Sequence, residues 1–321
     1  MDRGRAIGIG LVLVSACAFG SGGLIAKPVY AEGVGWHTLM VWRFVVGAAL
    51  AWAWLLGSPS RRAALRRVDR RAIVVALALG VLYTGNSATY FAGLETVPVS
   101  LAALIVYVYP ALVAVLSLRV GQALTGIRAW AALGLALVGV ALAVGSMPAS
   151  DEVDGVGLIL IAASPVIYAV WIVLAARLSG ERRTTVGEAT TGGLEPAAAS
   201  ALMMSATAMS YVVGAIALGQ PMLPSEVPGS VQPAMLAIGL VSTFVAIQTF
   251  YAGARRIGAA QASLLSTIEP IWTISLAALF LAESLTLVQL IGGALILGGV
   301  VLAQTGPGSN ATARELRLAD E

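Results

Sequence analysis

Ten stretches of this chain are long and apolar enough to cross a bilayer, and this limits the fold more than anything else in the sequence. A spanning helix needs roughly 17–25 mainly apolar residues. Read at that length, the sequence gives spans one to ten as Ile7–Ala26, Trp36–Leu56, Ala72–Gly93, Pro98–Leu118, Ile127–Gly145, Gly155–Leu178, Ala197–Leu218, Pro233–Gly253, Ala259–Leu281 and Thr286–Gln304. Hydrocarbon offers no partner to an open backbone, so each must satisfy its own hydrogen bonds as a helix. Only 11% of the residues are charged, whereas a soluble domain carries about 25%. The expected fold class is an all-α membrane protein embedded in a lipid bilayer.

Charge placement orients the spans. With the N-terminus in the cytoplasm, the inner connections hold 17 of the 19 basic residues, among them Arg61, Arg62, Arg66, Arg67, Arg70 and Arg71 in one loop. Lys27 falls outside and Arg43 within a span, and the outer loops are neutral or acidic, as in SDEVDG and PSEVPGS. This follows the positive-inside rule and puts both termini in the cytoplasm. Arginines so distributed describe membrane topology, not a nucleic-acid surface. The basic start and VSAC at 14–17 mimic a lipoprotein cleavage site, but the apolar run continues through FGSGGLIA, so Cys17 is read as an ordinary helix residue.

Two stretches 160 residues apart match. YFAGLETVPVSLAALIVYVYP ends at Pro110, and FYAGARRIGAAQASLLSTIEP ends at Pro270. Ala92 and Gly93 align with Ala252 and Gly253, Ala102 with Ala262, and the two prolines with each other. QALT from Gln122 and ESLT from Glu283 follow the prolines, and GLVLVSA from Gly10 resembles GLILIAA from Gly157. The chain therefore reads as five spans duplicated: residues 1–146, residues 155–304, and a polar cytoplasmic tail, 305–321. An odd number of spans per copy inverts the second, a plan characteristic of secondary transporters with a midplane site between the halves.

FGSGGLIAKPVYAEGV, the WRF of span two, and STIEPIWTISLAALFLAESLTLVQLIGGALILGGVV of spans nine and ten complete a resemblance over about residues 7–304. The sequence resembles the drug/metabolite transporter superfamily, specifically its EamA-type members with ten spans. That resemblance implies transport of small organic metabolites or drugs, with export across a bacterial inner membrane favoured. Gln122 departs from it, because the family usually has an acidic residue there; Glu283 keeps the acid in the second copy.

Polar groups at depth are the candidate site. Glu269 is the eleventh residue of span nine, and an acidic residue at a helix centre costs about 2.5–3.5 kcal/mol unless it is protonated, paired or facing water. It can serve as a substrate or proton site, or accept backbone N–H groups freed where Pro270 interrupts the helix. Pro110 and Pro270 are the expected hinges. Arg43, about 10 Å from its helix end, can attract an anion, pair with Glu269, or pack on backbone carbonyls. Tyr83, Asn86 and Tyr90 share one helix face; so do Ser164, Tyr168 and Trp171, and so do Phe244, Gln248 and Tyr251. Tyr107 and Trp272 lie near the prolines. Asn86 and Gln248 can line a cavity or bond between helices. The aromatic residues suit either a cavity or an interfacial belt. Ala294 and Gly298 form a small-xxx-small pair suited to helix packing or a homodimer face. His37, at the outer start of span two, reads as interfacial. The NAT at Asn310 lies in the tail and is discounted as a glycosylation site.

The leading expectation is a secondary transporter for a small-molecule substrate, working by alternating access around a cavity walled by spans one, three, four, six, eight and nine. A passive channel or facilitator is the alternative. An embedded enzyme lacks its parts, with one His, one Cys and no Asp in any span. The same scarcity leaves no usual metal set. There is no G-x-x-x-x-G-K-[ST] loop, and Lys27 is the only lysine, so ATP hydrolysis is not expected. No cofactor is called for.

Overall fold

The computed structural model describes residues 3–65, 68–118, 126–145, 154–178 and 196–304. Gln122, the SDEV stretch, several of the loop arginines and the tail with Asn310 lie outside them. The described secondary structure is helical throughout. Among the described residues, nine helical segments are long and apolar enough to cross a membrane, and Leu287–Ala303 is a shorter apolar helix in the place of span ten.

Several spans are not single rods. Span one runs as Arg3–Gly20 and Gly22–Ala31, with a bend at Ser21. It ends five residues beyond the expected boundary, so Lys27 sits in helix and not in a connection. Span four is Val99–Val106 and Tyr109–Leu118, and span nine is Ala259–Leu265 and Ile268–Phe280. Span eight, Gln232–Ile257, contains a π-helical turn at Leu240–Val245. Proline explains two of these interruptions, because Pro110 and Pro270 cannot donate to the carbonyl four residues back.

The helices pair in a pattern that identifies the repeat. Span one packs on eight and six on three; two packs on seven, four on nine and five on ten. Exchanging the halves turns each of these contacts into another member of the same set. The first two interchange, and the remaining three map onto themselves. Inverted five-helix repeats therefore describe the fold.

The packing is that of a protein in lipid. Ala129, Ala132, Ala136 and Ala143 are buried, while Ile127, Leu279 and Leu287 are 82%, 76% and 73% exposed. Lipid tails are as apolar as leucine, so small residues that let backbones approach take the interior and bulky ones face outward. Spans five and ten meet where a Cβ on Gly139 would collide with the Gly292 carbonyl, and a Cβ on Gly299 would lie 2.7 Å from that of Ala132. Ala294 and Gly298 instead face outward, so this small-residue pair takes no part in that seam.

Candidate functional site

A cavity of about 340 Å³ lies between the repeats. Its wall comes from spans one, two, three, four, six, seven, eight and nine. Spans two and seven were not expected there; they add Arg43 and Phe44 from one repeat and Ser200, Met203, Met204 and Thr207 from the other. Spans five and ten stand outside the wall. The wall reaches Ser200, the fifth residue of the helix Pro196–Leu218, which begins at the bundle end that also carries Arg3. That end is here termed the near face.

The far face is closed by polar contacts. The Tyr30 hydroxyl donates to the Phe91 carbonyl (2.9 Å), and the Trp36 amide to Glu95 (2.6 Å). Thr38 and Trp42 donate to the carbonyls of Pro221 and Met222, at 2.7 and 3.0 Å. Glu226 folds that connection back by accepting from the amides of Leu223 and Met222, both 2.9 Å. Those two amides hold its carboxyl below the usual value. Glu283 accepts from the amides of Val99 (2.9 Å) and Ser100 (2.8 Å) and from the Ser100 hydroxyl.

The breaks in spans four and nine sit side by side in the wall. Pro270 has no N–H, so the carbonyl of Ser266 loses its helical partner. The Tyr107 hydroxyl, from the break in span four, approaches it at 2.8 Å and lies 2.9 Å from Oε2 of Glu269. This corrects the capping reading of Glu269. Proline frees a carbonyl, which a carboxylate cannot cap; the phenol of Tyr107 does so from the other repeat. Among the described residues, the Glu269 side chain meets Tyr107 and otherwise faces the cavity.

Arg43 is 6% exposed and does not pair with Glu269. Its Nε donates to the Thr243 hydroxyl (2.9 Å) and an Nη to the Ser242 carbonyl (3.3 Å). Its guanidinium lies 4.6 Å from the Phe91 ring centre and 5.2 Å from that of Phe44. The π-helical turn displaces backbone carbonyls from their usual partners, and Arg43 serves one of them. This is the backbone-packing alternative, yet the guanidinium still lines the cavity beside Phe44 and Phe91.

Of the other candidates, Asn86, Tyr90, Tyr107, Tyr168, Trp171, Tyr251 and Pro270 line the cavity. Asn86 is fixed by Ser164, whose hydroxyl donates to its Oδ1 at 2.9 Å. Trp171 donates to the Leu79 carbonyl (2.8 Å), and its ring stacks on Tyr168 with centroids 5.8 Å apart. Three candidates lie elsewhere. Gln248 donates to Ser200 (3.1 Å), bonding spans eight and seven. Trp272 is 39% exposed and donates to Ser21 at the bend of span one (3.1 Å), because it covers Gly20 where the two helices approach. Pro110 is buried behind the wall. His37 packs against Gly214 and the Trp36 and Tyr211 rings.

These placements separate the two amides. Asn86→Ala is expected to impair transport with membrane abundance near wild type, since it changes the cavity wall and leaves Ser164 free to turn. Gln248→Ala is expected to lower the unfolding midpoint by removing an interhelical bond of about 0.6 kcal/mol, the average for such bonds in membranes. Flux and thermal unfolding, measured on both variants, separate the roles; a reversed pattern would exchange them.

Sequence reasoning missed Tyr109, Ser87, Phe44, Phe91, Met203, Met204, Thr207 and Thr273 in the wall. The repeat could have found Tyr109, which precedes Pro110 as Glu269 precedes Pro270. The others are common residue types on helices whose inward face is set by packing.

Comparison with known proteins places these features. The profile described as the EamA-like transporter family matches residues 6–145 and 155–305. A protein of Bacillus subtilis described as "Uncharacterized transporter YcbK" is 27% identical over 307 residues, covering 95% of this chain and 93% of that one. An "Uncharacterized transporter" of Archaeoglobus fulgidus is 30% identical over 227 residues, covering 71% of this chain and 75% of that one. A solved structure described only as "Crystal structure of protein" superposes with a TM-score of 0.61 at 20% identity, covering 93% of this chain and 96% of its own. That likeness supports the fold alone.

Proposed function

The chain belongs to the EamA-like transporter family and is a multi-pass membrane transporter, and we propose that it is a secondary active transporter moving a small organic metabolite or drug by alternating access. The observation that carries this reading is a carboxyl side chain, Glu269, facing a cavity shared by both repeats at the point where spans four and nine break. A half-buried carboxylate with no basic partner among the described residues is costly, and a proton or a cationic substrate group removes that cost. Glu269 is therefore assigned the proton or cation site. Asn86, Tyr90, Tyr168, Trp171, Tyr251 and Tyr107 are assigned the substrate surface, and Arg43 one polar end of it. Aromatic walls with a few fixed polar groups suit a small organic ligand.

The reading places the protein in a bacterial inner membrane with both termini cytoplasmic and export as the working direction. The near face is then the cytoplasmic one, and the far-face contacts lie on the periplasmic side. The test is a screen of labelled solutes against purified protein in vesicles, with and without an imposed pH gradient. Saturable, gradient-dependent flux of at least one solute is expected; flux that never saturates and ignores the gradient would favour the passive facilitator.

Topology is tested separately. A cysteine at Ser225, in an otherwise cysteine-free background, should react with an impermeant maleimide in intact cells. One at Ser60 should not. Both positions are exposed on opposite faces, and reversed labelling would invert the orientation.

A further inference from the structure

Resting on the reading of Glu269 as the proton site, we propose that Tyr107 is a positioning residue that converts the proton occupancy of Glu269 into the tightness of the contact between the two broken helices. The Tyr107 hydroxyl lies 2.8 Å from the Ser266 carbonyl oxygen and 2.9 Å from Oε2 of Glu269. A phenol has one hydrogen to donate and can also accept. When Glu269 is ionised, both neighbours are acceptors and one hydrogen must serve two of them. When Glu269 is protonated, its carboxyl donates to the phenol oxygen, and the phenol hydrogen serves Ser266 alone.

The Ser266 carbonyl is the group that Pro270 deprives of its helical partner. Without Tyr107 it keeps only the tight-turn bond from the Glu269 amide, 3.0 Å. A charged acceptor makes the stronger bond, so ionisation draws the phenol hydrogen to the carboxylate and away from Ser266. Tyr107 belongs to the first repeat, and Ser266 and Glu269 to the second. Protonation thus gives two bonds in series across the repeats at the place where both helices are already broken, and ionisation gives one.

The surroundings leave this role to Tyr107. The Glu269 charge also reaches Tyr83 and Tyr90 on span three, Tyr109 on span four and Tyr168 on span six. Among the described residues, Tyr107 alone hydrogen-bonds the Glu269 carboxyl. Arg43, on span two, is held by Thr243 and Ser242. Span one contributes Cys17, Lys27 and Tyr30; Lys27 lies in the field of Glu283, and Tyr30 is bonded to Phe91.

Hydrogen–deuterium exchange of the purified protein tests this without a substrate, at mildly acidic and mildly alkaline pH, with rates corrected for intrinsic pH dependence. In the wild type, peptides covering 99–112 and 261–273 should exchange about three- to tenfold faster at the higher pH, the effect of one hydrogen bond. Glu269→Gln should exchange slowly at both, because its amide N–H₂ donates to the phenol oxygen as the protonated acid does. Tyr107→Phe should exchange fast at both. Wild-type pH dependence retained in Tyr107→Phe would overturn the proposal, as would fast exchange in Glu269→Gln. If Tyr107→Phe does not fold, the slow, pH-independent exchange of Glu269→Gln carries the test. Failure here leaves the transport reading to its own flux assay.

Discussion

Glu269→Gln is expected to abolish flux driven by a pH gradient while leaving the protein folded and in the membrane. Glutamine keeps the shape of the side chain and supplies an amide that can bond Tyr107, so the helix junction should be retained to within about 1 kcal/mol. It cannot take up or release a proton, and it cannot neutralise a cationic group. Under an imposed gradient, uptake into vesicles should fall to that of protein-free vesicles for a solute that wild type moves. Solute binding can survive the change, because eleven aromatic side chains remain in the wall. Gradient-dependent rates equal to wild type would end the proton assignment and leave Glu269 as a structural partner of Tyr107. A passive facilitator would keep its gradient-independent flux on this substitution.

Much of the fold is legible in the sequence for a physical reason. A bilayer imposes a length and a polarity on every spanning helix, so spans one to ten can be read from apolar runs. The proline pair Pro110 and Pro270 marks the register of the repeat, and an odd span count fixes its inversion. Interruptions are harder to read. The bend at Ser21 and the π-helical turn at Leu240–Val245 contain no proline, and small residues such as Gly20 and Gly22 mark many packed helices that do not bend.

The site is legible where lipid makes a residue anomalous, and illegible where partners decide. Glu269, Arg43 and Asn86 stand out because hydrocarbon offers them nothing, and all three line the cavity. Gln248 carries the same signal but is bonded to Ser200 on the neighbouring span. A buried amide announces that it needs a partner without saying which. Trp272 lies three residues from Glu269 and shares its side of the helix, yet it reaches toward Ser21, because the small Gly20 leaves room there. The roles of spans two and seven follow from helix pairing between repeats, which periodicity within one helix does not encode.

Glu283→Ala is expected to lower stability more than any other single truncation at the far face. Glu283 does not cap the helix that it precedes. An acid just before a helix suggests a cap on that helix, but span ten is capped without it. The Thr286 amide donates to the Gln289 side-chain oxygen (2.8 Å), and the Gln289 amide to the Thr286 hydroxyl (3.2 Å), a reciprocal box. Glu283 is thereby free to cap span four of the other repeat. Ala282 aims it there by adopting a φ of 54°, a left-handed conformation that alanine takes only at some cost.

The carboxylate uses both oxygens: Oε1 accepts from the Val99 amide, and Oε2 from the amide and hydroxyl of Ser100. These are orphan donors at a helix start, and hydrogen bonds to a charged group contribute about 1.5–3 kcal/mol each, though not additively. Truncation should therefore cost about 2–4 kcal/mol. Glutamine should rescue little, because one of its two terminal groups is itself a donor and would face an N–H. Lys27, within the field of Glu283, would lose its nearby anion in both variants. The measurement is the thermal unfolding midpoint of the purified protein in detergent, for wild type, Glu283→Ala and Glu283→Gln. Both variants should unfold well below wild type, in contrast to Glu269→Gln, which should not. A midpoint near wild type for Glu283→Ala would mean that the cap across the repeats does not hold the far face together, and that the alanine strain at 282 serves some other end.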